Sequence, residues 1–287
     1  MGSTSPEALT AALRADPVPG AGPVHCATVE VDGRRVAVVS LGRPERHNAL
    51  DLAAWHEIAR LAGEFAQDRA LRAVVVRGCG GRAFSAGADI AEFPSRRIGA
   101  GVADGYNESV ARALASVAAV PVPVIAMVQG LAVGGGCELA AACDVRLATV
   151  GSRFGIPATR LGVTLGLTET RAVSRAIGAA NLKYLLFSGA LIDARQALAW
   201  GLVQQVVEEE GVVEVTAALV QSICLGSEVS VRAAKQVTDL AGADPSATEQ
   251  HELLRALHEE AYDGPDLREG VAAFTERRPP VFRAGRS

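Results

Sequence analysis

The sequence predicts an α/β fold with helical crossovers, closed by an almost wholly helical last third. Three observations carry this. Residues 71–77, 122–128, 145–148 and 203–207 are short apolar runs of the kind that form strands buried on both faces. The stretches between them repeat their apolar residues at helical spacing. Beyond residue 206 only helical patterns remain.

The elements follow in order. Residues 1–24 are rich in Ala, Pro, Gly, Ser and Thr and read as a flexible leader with a short helix around 7–14. Residues 27–31 and 36–41, separated by Asp32-Gly33-Arg34, read as a β-hairpin. Asn48 and Asp51 offer capping side chains before a helix over 52–66. After the strand at 71–77, helices are expected at 102–117, 138–142, 168–177, 181–189 and 194–200, interleaved with the remaining strands. The tail supplies helices at 212–223, 230–240 and 247–262, then a short one at 270–278 stopped by Pro279-Pro280. The domain reading is a leader (1–24), a core (25–205) and a C-terminal helical region (206–287).

Composition excludes several classes. With 287 residues, 49% apolar and 21% charged, the chain has enough material for a large core. A net charge of −4 with scattered basic residues argues against nucleic acid as a partner. Five cysteines at irregular spacing are no disulfide framework and suit a reducing, cytoplasmic location. Cys137 and Cys143 have no histidine cluster nearby and form no C-x-x-C pair, so no metal is expected. No signal-peptide run and no apolar stretch of about 18 residues is present, so no membrane role is expected.

Two glycine segments follow strands. The first is Ala86-Gly87-Ala88-Asp89-Ile90; the second, Gly134-Gly135-Gly136, opens a helix whose unpaired N–H groups face outward. Each alone is also what a tight turn or a close-packing site looks like. Neither offers G-x-G-x-x-G in a βαβ unit or G-x-x-x-x-G-K-[ST], so dinucleotide and P-loop readings are poor. No Ser/His/Asp arrangement or G-x-S-x-G elbow is present.

A set of motifs then carries a resemblance. Arg43-Pro44-Glu45-Arg46-His47-Asn48-Ala49-Leu50, Phe84-Ser85-Ala86-Gly87-Ala88-Asp89-Ile90, Gly134-Gly135-Gly136-Cys137-Glu138-Leu139-Ala140 with Cys143-Asp144, and Phe154-Gly155-Ile156-Pro157 occur in that order. Phe187-Ser188-Gly189, residues 197–203, Arg268-Glu269-Gly270 and Phe274-Thr275-Glu276-Arg277-Arg278 follow. From about Ala27 to Phe282 the chain resembles the crotonase superfamily, the enoyl-CoA hydratase/isomerase group. The resemblance implies a spiral of β-β-α turns with a C-terminal trimerisation region, a homotrimer or hexamer, and a place in fatty acid metabolism. It implies an acyl-CoA thioester substrate whose coenzyme A is part of the substrate, with no separate cofactor. The backbone N–H groups of Ala88 and Gly135 would form the oxyanion hole, flanked by Ala86, Gly87, Asp89, Ile90 and Gly134. Arg46, His47 and Arg277 would lie near the CoA moiety, although a solvated histidine and an exposed basic helix face are equally ordinary explanations.

Glu138 matches the first of the two glutamates that hydratases of this family place across a water, and is assigned as general acid/base. The second position falls on Ala158. Glu169, Thr164, Thr168 and Asp89 are candidate substitutes, Glu169 being the one assigned a catalytic place; a helix-start acid would look the same. Asp89 and Glu92 have capping-box spacing. Tyr106 either lines the acyl pocket or packs. The resemblance implies an acyl-CoA hydratase/isomerase working through a thioester enolate, with enoyl-CoA hydratase as its label; the absence of a carboxylate at Ala158 keeps isomerisation or decarboxylation with one carboxylate, and a catalytically inactive acyl-CoA-binding homologue, as alternatives.

Overall fold

The chain winds as a spiral, each turn giving one strand to a large sheet, one to a small sheet, and then a helix. The computed structural model describes residues 6–17, 22–242 and 246–282. Helix α1 (Pro6–Arg14) precedes the hairpin β1 (Val24–Val31) and β2 (Arg34–Leu41). The hairpin closes on Asp32 (φ 49°) and Gly33 (φ 72°), the two left-handed residues that a type I′ turn needs, so Arg34 belongs to the strand. Helix α2 (Leu52–Gln67) starts where the Asp51 carboxylate accepts from Ala54 N–H at 2.8 Å, and buries Trp55, Ile58, Leu61 and Ala62 on one face.

Three β-β-α turns follow. The first is β3 (Leu71–Gly78), β4 (Ala83–Ser85), α3 (Phe93–Arg96) and α4 (Ala100–Ala118). The second is β5 (Val124–Val128), β6 (Leu131–Val133) and α5 (Gly135–Ala142). The third is β7 (Val145–Thr149), β8 (Arg153–Gly155), α6 (Ala158–Leu161) and α7 (Leu167–Ser188). Then come β9 (Ile192–Asp193), α8 (Ala194–Ala199), β10 (Gln205–Val207), α9 (Val212–Leu225), α10 (Glu228–Ala241), α11 (Ala247–Asp263) and α12 (Pro265–Glu276).

The large sheet runs β1-β2-β3-β5-β7-β10 and is parallel except for the hairpin; the small one runs β4-β6-β8-β9, with only β8 and β9 antiparallel. Alternation explains the continuous apolar runs. Ala37, Val39, Val74, Val76, Val124 and Ala126 point into the main core with α2, α4, α5 and α7. Val36, Val38, Ala73, Val75, Ile125 and Met127 point the other way, onto α1 and α9.

The structure departs from the sequence reading in four places. The small sheet was not foreseen, because strands of two or three residues are too short to show alternation. The strands read at 122–128 and 203–207 begin later, at Val124 and Gln205. The helices read at 168–177 and 181–189 are one element broken at Gly178 (φ 75°), and the last helix begins at Pro265, not 270.

The fourth departure is the leader. Its described part is docked rather than flexible, with Leu9 and Leu13 both 0% exposed against the sheet and α9. Asp16 accepts from the buried Arg77 at 2.6 Å and from Gly80 N–H at 3.0 Å. The remainder of that segment (1–5 and 18–21), and residues 243–245 and 283–287 of the C-terminal region, lie outside the described residues. Leu13→Ala is therefore expected to lower the unfolding free energy by about 2–5 kcal/mol in a urea titration. A change below about 0.5 kcal/mol, typical of an exposed site, would mean that the helix is not docked.

Candidate active site

The site is built where the loop after β4 meets the start of α5. Ser85 Oγ donates to Asn48 C=O at 2.8 Å and accepts from Gly87 N–H at 3.1 Å. The Asn48 amide donates to Cys79 and Ala83 carbonyls at 2.9 and 2.7 Å. Ala86 N–H donates to His47 C=O, Leu50 N–H to Gly87 C=O and Asp89 N–H to Leu50 C=O, at 2.9, 2.7 and 2.9 Å. The backbone on either side of Ala88 is thus tied down. Ala88 N–H itself, and Gly135 N–H at the first turn of α5, have no hydrogen-bond partner among the described residues.

Two glycines permit this approach. Gly87 has φ 91°, and a side-chain carbon there would lie 2.5 Å from Val133 O and 3.0 Å from Gly135 N. A methyl group on Gly135 would lie 2.9 Å from Trp55 Cζ2 and 3.6 Å from Ala88 N. The two segments are therefore in backbone contact, as the paired-amide reading requires. At the other end of α5, the buried Arg146 donates to the Ala140 and Cys143 carbonyls, fixing the helix that carries Gly135 and Glu138.

A cavity of about 360 Å³ opens over these amides, lined by Ala86, Ala88, Ile90, Gly134 and Gly135 together with Trp55, Tyr106, Ala158 and Leu165. Glu138 and Glu169 both line it. Glu138, in the first turn of α5, is 7% exposed. Burial, and then the neighbouring Glu169 carboxylate, push its carboxyl up to about 8 against the opposing Arg97 charge. Glu169, in the first turn of α7, is 6% exposed, and its buried Oε2 has no partner among the described residues. It folds over Gly166, where a side-chain carbon would lie 2.6 Å from that oxygen. The second carboxylate absent at Ala158 thus reaches the same cavity from α7. Thr164 also lines the cavity; Thr168 does not.

Several expected contacts fall elsewhere. Asp89 is not free to hold a ligand: it accepts from Arg43 and Arg46 at 2.8 and 3.0 Å and from Ala91 N–H at 3.1 Å. Burial pushes its carboxyl up, but those hydrogen bonds and the Arg43 charge hold it below the ordinary value. The capping box is not formed either, since Glu92 accepts from Leu52 N–H. Arg46 is engaged with Asp89, and His47 caps the short 3-10 turn at 44–46 with φ 50°; neither lines the cavity. Arg277 caps α12 with φ 57°, also away from the lining. Tyr106 does both things weighed for it: it is buried, lines the cavity, accepts from Trp55 Nε1 at 3.3 Å and donates to Leu50 C=O at 3.3 Å.

Sequence reasoning missed Arg97, Phe93 and Trp55. Arg97 had a faint signal, an arginine four residues after an aromatic in a short helical segment. Its guanidinium lies 4.9 Å from the Phe93 ring centre and 4.8 Å from that of Tyr106. Among the described residues, no group of three or more His, Cys, Asp or Glu side chains is placed to hold a metal ion.

The sequence model of the family described as "Enoyl-CoA hydratase/isomerase" matches residues 32–285. A probable enoyl-CoA hydratase of Mycobacterium bovis is 35% identical over 87% of this chain and 95% of its own length. The short-chain-enoyl-CoA hydratase of Clostridium acetobutylicum is 34% identical over 87% of this chain and 94% of its own. Among solved structures, an enoyl-CoA hydratase/carnithine racemase from Magnetospirillum magneticum superposes with a TM-score of 0.80 at 38% identity, covering 87% of this chain and 92% of that one.

The raised carboxyl has a stability consequence. In the folded state Glu138 keeps its proton up to about 8, whereas in the unfolded chain it loses it near the ordinary 4.5, so stability falls as pH rises through that window. Glu138→Gln is expected to be more stable than wild type at pH 8, by about 4 kcal/mol. The difference should shrink as pH falls toward the lower limit. Equal denaturation midpoints across the window would show that the carboxyl is not buried in this way.

Proposed function

The chain belongs to the enoyl-CoA hydratase/isomerase family, through its match over residues 32–285, and we propose that the reaction of this hydratase/isomerase-type enzyme is hydration of a 2-enoyl-CoA thioester. The observation that carries the proposal is the pair of carboxylates, Glu138 and Glu169, lining one cavity beside two unpartnered backbone amides. A 1,3-proton shift can proceed with one base, and a decarboxylation needs no water held for attack. Two carboxylates suit a reaction that must both deprotonate water and deliver a proton to carbon.

In this reading the thioester oxygen accepts from Ala88 and Gly135 N–H. Glu169 takes a proton from water as its oxygen bonds to the β-carbon; the C=C electrons move toward the carbonyl, and charge gathers on the thioester oxygen. The two amides stabilise that enolate more than the neutral ground state, an effect worth about 3 kcal/mol per donor in other enzymes. Glu138, which holds a proton at neutral pH, delivers it to the α-carbon. The proton from water restores the pair, and the product is a 3-hydroxyacyl thioester. The chemistry uses an acid, a base and amide donors, so coenzyme A enters only as part of the substrate.

We further propose a homotrimer or hexamer in the cytoplasm, acting in fatty acid metabolism. The terminal helices expose Tyr262, Leu267, Val271 and Phe274, the last 87% accessible, as a surface for a second copy. All five cysteines are free thiols, and no single helix among the described residues is long and apolar enough to cross a membrane.

Glu169→Gln is expected to lower kcat for crotonyl-CoA hydration by about 10²–10⁴-fold with KM changed little. The wild-type kcat/KM should decline above about pH 8, where Glu138 loses its proton. Full hydratase activity in the Glu169→Gln protein would remove Glu169 from the mechanism.

A further inference from the structure

Arg97 is a cavity residue that the proposed reaction does not use. It is partly buried, follows α3 directly, and donates to Asn107 Oδ1 at 2.6 Å. The Phe93 and Tyr106 rings hold its guanidinium at 4.9 and 4.8 Å. Tyr106 is itself fixed by hydrogen bonds to Trp55 and Leu50. Two arginines line the cavity, Arg97 and Arg160, and Arg97 is the one held against two aromatic rings. Among the described residues, no carboxylate lies within ion-pair distance of Arg97.

A neutral acyl chain beside this cation would strip it of water and return nothing. An anionic group would be recognised by a planar fork whose orientation the two rings have already set. Arg97 lines the same cavity as Glu138, Ala88 and Gly135. The anion it fits is therefore on the acyl group, not on the nucleotide part of coenzyme A.

We propose that the substrate is the monothioester of a dicarboxylic acid and that Arg97 binds its free carboxylate. This rests on the acyl-CoA reading above and adds the substrate class to it. Arg97 is then a specificity residue for acyl groups bearing a distal carboxylate.

The test uses saturated, unreactive thioesters, so that binding is read apart from turnover. Succinyl-, glutaryl- and adipyl-CoA are titrated into the whole protein by calorimetry, each against the analogue in which an isopropyl group replaces the carboxylate. At least one diacid thioester is expected to bind about 30-fold tighter than its neutral analogue, the size of a charged hydrogen-bonded contact. Arg97→Met should remove that preference while leaving affinity for the neutral analogue unchanged, which also reports that the variant is folded. If Arg97 served only to tune Glu138, the variant would change both affinities alike, and the proposal would be overturned. Equal binding of acid and neutral thioesters by the wild-type protein would overturn it with the acyl-CoA reading intact. No binding of any thioester would overturn both. Should Arg97→Met not fold, Arg97→Gln is titrated in its place with the same expected loss of preference, and a folded variant at position 97 that keeps the preference, as when Arg160 of the same cavity bound the carboxylate, would overturn the proposal.

Discussion

The backbone contact between the loop after β4 and the start of α5 is the constraint on which the rest of the site depends. It brings Gly87 so close to Val133 and Gly135 that no side-chain carbon fits between them. The contact survives because both partners are anchored from outside. Asn48, Ser85, His47 and Leu50 hold the first segment through side-chain and backbone hydrogen bonds, and Arg146 holds the far end of α5. What remains is a pair of amides with no partner among the described residues, opening on a cavity. Such preorganised donors stabilise an oxyanion without reorganising when the charge appears.

Around that contact the spiral distributes the other groups. Each β-β-α turn ends a small-sheet strand at the same edge, so β4 delivers Ala88, β6 and α5 deliver Gly135 and Glu138, and the turn through β8 leads to Ala158 and then α7 with Glu169. Removing a carboxylate at position 158 does not empty the site of its second acid, because α7 begins close enough to supply one. Burial, and then the Glu169 charge in the same small space, raises the Glu138 carboxyl, and one oxygen of Glu169 has no partner among the described residues. A buried acceptor of that kind carries a desolvation penalty. A bound water would offset it.

Much of this was legible in the sequence, for identifiable reasons. The large sheet showed itself because burial on both faces gives continuous apolar runs, and the amide segments showed themselves because close backbone approach requires glycine. The small sheet was invisible at two or three residues per strand. The docked α1 was masked by an Ala-rich composition, although Leu9 and Leu13 stand four apart on one face. The engagement of Asp89 was hidden because nothing local reveals that Arg43 and Arg46 converge on it. Arg97 was missed because its significance lies in the ring of Tyr106, nine residues away.

The central claim is that the two free amides grip a thioester carbonyl. It is tested most directly by the infrared spectrum of an acyl-CoA carrying a 13C label at the thioester carbon, bound to the protein. Two strong donors should polarise the bond and move its stretching band to lower wavenumber than in water, with a narrower line. A band at the solution position, from ligand otherwise shown to be bound, would contradict the account.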